Sequence, residues 1–274
     1  MSINNELVCD KSLAEISALL RYRVIQMCHE SKSAHLGSSL SCVDILSSLY
    51  FQVLNIRPDE PDWPERDIFI LSKGHAALAL YAALASKGYF PNDWLTQYNQ
   101  DGGILAEHPP AFGVPGVEAA TGSLGHGLPI ATGQALGMKM RQRNSRVFCL
   151  ISDGETNEGS VWEAALFSAA HHLDNLVVFL DYNKWQATGR SDEVLNVTAH
   201  SDKWRAFGWE VEMINGHDHK QIIEASHNDS SKPKLVVADT VKGKGVSFME
   251  DDNNWHYRVP NCEEVRIARV ELGF

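Results

Sequence analysis

Two apolar runs in this chain end in oxygen donors. VFCLIS (147–152) runs into Asp153-Gly154, and NLVVFLD (175–181) runs into Tyr182-Asn183-Lys184. A carboxylate and an amide oxygen are hard ligands, suited to Mg2+ or Ca2+ and poorly suited to zinc. Such an ion commonly completes its shell with phosphate oxygens. Gly154 would let backbone approach a phosphate closely, and a helix N-terminus around residues 160–164 would favour an anion. Taken singly, Asp153 also reads as an ordinary helix cap and Asn183 as a turn residue. Only a sheet that makes the two runs neighbours would bring both into one crevice, because ligands of open parallel sheets sit beyond the carboxyl ends of the strands.

The elements needed for that sheet are legible along the chain. Residues 11–29 place Leu13, Ile16, Leu19, Leu20, Val24 and Met27 at helical spacing, which predicts an amphipathic helix on a core. SKSAHLGSSLS follows, with a helix restarting near Asp44, and the Pro-rich stretch 55–66 reads as a surface connection. DIFILS (67–72) predicts a buried strand, and KGHAALALYAALASKG (73–88) a helix stopped by Gly88. Residues 98–122 hold five Gly and three Pro without periodicity, a long irregular loop of the kind that carries function. SLGHGLPIATGQALGMKMRQR (123–143) reads as a loop entering a helix, and WEVEMI and KLVVADT add two more strands. Repeated βα units predict an α/β fold: one doubly wound, mostly parallel sheet with helices on both faces. No composition break divides residues 1–274, so we expect a single domain with 1–65 as a helical N-terminal extension.

Composition narrows the partners. With 35 acidic against 24 basic residues and a formal net charge of -11, nucleic acid and anionic membranes are disfavoured. No run approaches the ~20 apolar residues of a membrane span, and the N-terminus lacks a basic flank followed by an apolar core. The five cysteines (Cys9, Cys28, Cys42, Cys149, Cys262) form no CxxC pair, which suits a reducing cytoplasm. His171-His172 stands at a helix end, where imidazole complements the helix dipole. No site role is expected for that pair, for Trp204 and Trp209, or for His217 and His219. Glu158 reads as a helix-start carboxylate.

Asp-Gly followed by Asn after a second apolar strand resembles the thiamine diphosphate fingerprint. Further stretches match in order: SAHLGSSLS (33–41), ILSKGHAALALY (70–81), EHPP with PGVEAATGSLGHGL (107–128), SDGETNEGSVWEA (152–164), DYNKWQATG (181–189) and VKGKGVSFMEDDNNWH (241–256). From about residue 10 onward the chain resembles the N-terminal, diphosphate-binding part of transketolases, especially the short subunit of split, two-chain transketolases. The resemblance implies that Asp153, Asn183 and the main-chain carbonyl of Trp185 bind Mg2+ or Ca2+. It implies that Gly154 and Asn183 contact the diphosphate, and that Gly122, Ser123, Leu124, His75, Lys242 and His256 contact the cofactor. His75 and His256 would line the reacting centre, and His35 and His108 would hydrogen-bond the sugar.

The same resemblance implies ketol transfer from a ketose or ketose phosphate to an aldehyde. It also implies a second subunit with the pyrimidine-binding and C-terminal domains, in an α2β2 heterotetramer. Two alternatives are a carboligase subunit for a keto acid or modified sugar, and a non-catalytic partner with a degenerate site. Departures from the family pattern are Ser152 and Ala34 for Gly, Leu36 for Pro, Glu107 before His108, Tyr257 for Gly after His256, and Trp185 for an aliphatic residue. The Trp185 indole is expected to reshape the wall beside the thiazolium.

Overall fold

The computed structural model describes residues 10–195 and 200–274; the amino-terminal stretch and Cys9 lie outside the described residues. Helix α1 (Leu13–Ser31) opens with a capping box. Ser12 Oγ accepts from Glu15 N, and the Glu15 carboxylate accepts from Ser12 N at 2.7 Å. Two short helices follow, α2 (Leu36–Ser41) and α3 (Val43–Ser48). The helix thus restarts before Asp44, at the residue after His35.

Strand β1 (Ile68–Leu71) leads through a 3-10 turn, Gly74–Ala76, into α4 (Ala77–Lys87). Gly88 ends α4 in the left-handed region, φ 98°, where a side chain would be strained. The irregular segment after residue 98 reaches α5 (Gly127–Met140), followed by β2 (Val147–Ser152), α6 (Gly159–Ala170) and β3 (Leu176–Tyr182). The remainder is α7 (Ser191–Val194), α8 (His200–Ala206), β4 (Glu210–Asn215), α9 (His219–Ala225), β5 (Lys234–Asp239) and α10 (Cys262–Glu271).

The five strands are parallel, in the order β1-β2-β3-β5-β4. Successive side chains alternate between two cores, as the two-residue period of a strand requires. Phe69, Leu71, Phe148, Leu150, Val177 and Phe179 join one core with residues of α1, α3, α4 and α9. Ile68, Ile70, Cys149, Ile151, Val178 and Leu180 join the other with residues of α5, α6 and α8. Covered faces explain why β1, β2, β3 and β5 read as largely apolar runs, while β4, at the sheet edge, mixes buried and exposed residues. Full burial of each such side chain contributes about 1.5–3 kcal/mol. The helices of the first 65 residues belong to the first of these cores.

Candidate functional site

β2 and β3 are neighbours, with Ser152 opposite Asp181, so Asp153 and Asn183 leave the sheet at the same end. Both are buried. Asp153 Oδ1 accepts from Gly154 N at 2.9 Å and Oδ2 accepts from Ser191 Oγ at 2.7 Å. Burial pushes its carboxyl up to about 6, a cost that a bound cation would relieve. Asn183 Nδ2 donates to Asp181 Oδ2 at 3.3 Å, and Asn183 Oδ1 accepts from Trp185 N at 3.1 Å.

Beneath this chemistry lie groups that motif reasoning passed over. Asp181 is fully buried and accepts from Lys73 Nζ, the Thr240 hydroxyl and, at 2.6 Å, Ser41 Oγ. Burial opposes its charge, but Lys73 and the hydrogen bonds prevail and hold the carboxyl below its usual range. Glu155 is also buried. It accepts from the Ser72 hydroxyl, from Gly125 N at 2.8 Å and from Ser152 N at 3.3 Å, tying the 122–126 loop to the ends of β1 and β2. One signal for Asp181 was present in the sequence: a charge closing an otherwise apolar strand.

Four histidines from four separate segments converge. The ring of His35 lies 5.5 Å from that of His75, 6.0 Å from His108 and 5.1 Å from His256, centre to centre. His35 sits at φ 71°, and its N–H donates to His256 O at 2.7 Å. Burial pushes His35 down, His75 well down, and His256, with help from Lys242, down to about 3. All three are therefore neutral near pH 7. The exposed ring of Tyr257 lies 4.7 Å from His256 and 6.3 Å from His35, so the residue in place of glycine edges the cluster.

Lys242 is fully buried and pushed down to about 8, chiefly by burial and then by Lys73. Its ammonium donates to Asn253 Oδ1 at 2.6 Å and to His256 Nδ1 at 3.0 Å, which leaves the His256 proton on Nε2. No carboxylate among the described residues forms an ion pair with it. Gly122, at φ 141°, admits no side chain: a Cβ there would stand 2.9 Å from His108 Cδ2. Ser123 is exposed and within 3.3 Å of His126 Nδ1, while Leu124 is half-buried.

The Trp185 indole is held by two charged side chains. Its Nε1 donates to Asp251 Oδ1 at 2.8 Å, and the Arg190 guanidinium lies 3.7 Å above the ring. Glu158 is exposed and stands as the N-cap position of α6 without a side-chain capping bond. His217 accepts from Val241 N at 2.9 Å through Nε2 and lies 2.8 Å from Asp44 through Nδ1, a link between the Lys242 segment and α3.

Among the described residues no three His, Cys, Asp or Glu groups gather as a metal cluster. A cation at this strand end would rest on one carboxylate, an amide oxygen and backbone oxygen. That sparse hard set fits Mg2+ or Ca2+ sharing an anionic ligand. A buried ammonium without a carboxylate partner fits the same anion. His35 Nδ1 and Thr121 Oγ1 are buried without hydrogen-bond partners.

Residues 12–274 match the family described as transketolase, thiamine diphosphate binding domain. The chain is 42% identical over 265 residues to one of the subunits of apulose-4-phosphate transketolase from Actinobacillus succinogenes, covering 96% of each. It is 44% identical over 241 residues to 6-deoxy-6-sulfo-D-fructose transketolase subunit SqwG of a Clostridium species, covering 87% of this chain and 88% of that one. Transketolase from Leishmania mexicana superposes with a TM-score of 0.91 at 26% identity, covering 96% of this chain and 41% of that one. Against such full-length transketolases this chain therefore spans less than half the length. The chain belongs to the transketolase family, of which it carries the thiamine diphosphate-binding domain.

Proposed function

We propose that this chain binds thiamine diphosphate with Mg2+ (or Ca2+) and, with a second subunit, transfers a two-carbon ketol unit from a ketose or ketose phosphate to an aldehyde. The observation that carries the reading is the joint placement of Asp153 and Asn183 at adjacent strand ends, with a buried Lys242 that forms no ion pair among the described residues. Asp153, Asn183 and the Trp185 carbonyl would hold the ion. Gly154 would give the diphosphate its approach, and Lys242 would offset its charge. Gly122, Ser123 and Leu124, from the loop braced by Glu155, would border the cofactor.

When bound, the thiazolium supplies the nucleophilic carbon and the electron sink for cleaving the donor between C2 and C3. This chain's part is to hold and move protons. His35, His75 and His256 are kept neutral, so each offers one donor and one acceptor nitrogen to hydroxyls and developing alkoxides. With its proton on Nε2, His256 is set to donate from that nitrogen. His35 Nδ1, 3.6 Å from Glu107 Oε1 and without a hydrogen-bond partner, and His108 beside it would take substrate hydroxyls.

Two relatives are each named as one subunit of a transketolase, which supports a second subunit here. That second chain would carry the pyrimidine-binding and C-terminal domains, in an α2β2 heterotetramer. The same names specify apulose-4-phosphate and 6-deoxy-6-sulfo-D-fructose, which favours a sugar with a terminal anionic group over a keto acid. Retention of Asp153, Asn183 and His75 speaks against a degenerate partner. No helix among the described residues is long and apolar enough to cross a membrane, and Cys28, Cys42 and Cys149 are buried free thiols, in keeping with a cytoplasmic protein.

The test is calorimetric titration of thiamine diphosphate into the reconstituted pair. Asp153→Ala is expected to abolish the Mg2+-dependent binding; undiminished affinity in that variant removes the reading.

A further inference from the structure

Two segments that flank the candidate site are joined at the surface. Just after Asn183 the chain turns back on itself: Trp185 pairs antiparallel with Arg190, and Gln186 N donates to Gly189 O at 2.9 Å. On the other side Asp251, at φ 57°, donates its N–H to Lys242 O at 2.8 Å. Arg190 bridges them with two bonds to the Asp251 carboxylate, 2.7 and 2.6 Å, while its guanidinium covers the Trp185 indole at 3.7 Å. The indole N–H donates to the same carboxylate at 2.8 Å. Asn253 closes the contact: Nδ2 donates to Ala187 O at 3.2 Å, and Oδ1 receives Lys242 Nζ at 2.6 Å.

We propose that Arg190 and Asp251 are positioning residues: clasping the Trp185 indole between them, they set the Trp185 carbonyl and the Lys242 ammonium at a fixed separation, ready for the ion and the anion of one diphosphate. The proposal rests on the cofactor reading above. The planar guanidinium fork meets a carboxylate in one geometry and stacks flat on an indole, so it fixes orientation as well as distance. Its two charged side chains remain 32% and 52% exposed, and exposed pairs of this kind contribute little to folding stability. Orientation of ligands from behind is what such outer contacts supply at metal sites.

The experiment uses the chain with its partner subunit. Arg190→Gln, Asp251→Asn, the double variant and Arg190→Lys are titrated with thiamine diphosphate at saturating Mg2+, and with Mg2+ at fixed thiamine diphosphate. Thermal unfolding of the cofactor-free proteins is followed in parallel. Each single variant is expected to weaken both affinities about tenfold, with the cofactor-free unfolding temperature nearly unchanged. The double variant should be no weaker than either single, because one clasp is broken once. Arg190→Lys keeps the charge but loses the fork, so it reads the same effect should the glutamine variant fail to fold.

Unchanged affinities in these variants, while Asp153→Ala loses binding, overturn the clasp and leave the cofactor reading standing. A lower unfolding temperature with unchanged affinities also overturns it, marking the contact as structural. Normal binding in Asp153→Ala sinks the cofactor reading itself.

Discussion

Lys73 and Asp181 form an ion pair with neither side chain exposed, and Asp181 in turn receives the Asn183 amide. Lys73 Nζ also donates to Ser38 O at 2.9 Å, so the pair joins the end of β1, helix α2 and the end of β3. Burial opposes both charges. Their proximity raises the Lys73 ammonium above its usual range and holds the Asp181 carboxyl below its own.

Breaking that pair on one side leaves a buried charge uncompensated. Lys73→Met is expected to destabilise the cofactor-free chain by about 3–5 kcal/mol, and Lys73→Met with Asp181→Leu by distinctly less. Urea unfolding of wild type, single and double variants checks this; a double variant as unstable as the sum of the singles contradicts it.

Lys242 sets a pH dependence. Its pKa falls from 10.5 to about 8 through burial. Because the folded value lies below the unfolded one, the cofactor-free protein should gain stability as pH rises from about 8 towards 10.5. Binding runs the other way: the diphosphate needs the ammonium, so affinity should fall as pH rises through about 8. Titrations of the reconstituted pair on either side of that value test this, and Lys242→Met should bind more weakly and lose that slope.

Gly122→Ala places a methyl group against the His108 ring on backbone that disfavours any side chain. We expect a kcat/KM reduced at least tenfold, with the larger share in KM for the sugar, because displacement of His108 disturbs the histidine cluster first. Steady-state kinetics with wild-type unfolding as the control would reveal the opposite, a folding defect alone.

His217→Phe removes the acceptor for Val241 N and one partner of Asp44. Asp44 keeps its two-pronged contact with Arg21, at 3.0 and 2.5 Å. The expected loss is about 1–3 kcal/mol, the cost of an unpaired buried group, accompanied by weaker thiamine diphosphate binding as the Lys242 segment loosens. Denaturation and calorimetry on the same samples separate the two effects.

Legibility in the chain differs by element. The parallel sheet was open to reading because strands covered on both faces must be apolar throughout, as VFCLIS and NLVVFLD are. Asp153 and Asn183 stood out in the sequence because hard oxygen donors at strand ends suit a cation, and the four histidines because their segments resemble those of transketolases; the structure brings the four rings together. The early restart of the helix at Leu36 was not legible, since His35 enters it from a left-handed conformation that composition does not announce.

Residue types and their order therefore dictate which groups could do chemistry and at which strand ends they stand. Their company was settled by packing. Lys73 reaches Asp181, and Trp185 is taken up by Arg190 and Asp251. Those choices depend on contacts between distant segments, where burial makes an unpaired charge costly and so selects the partner that geometry brings near.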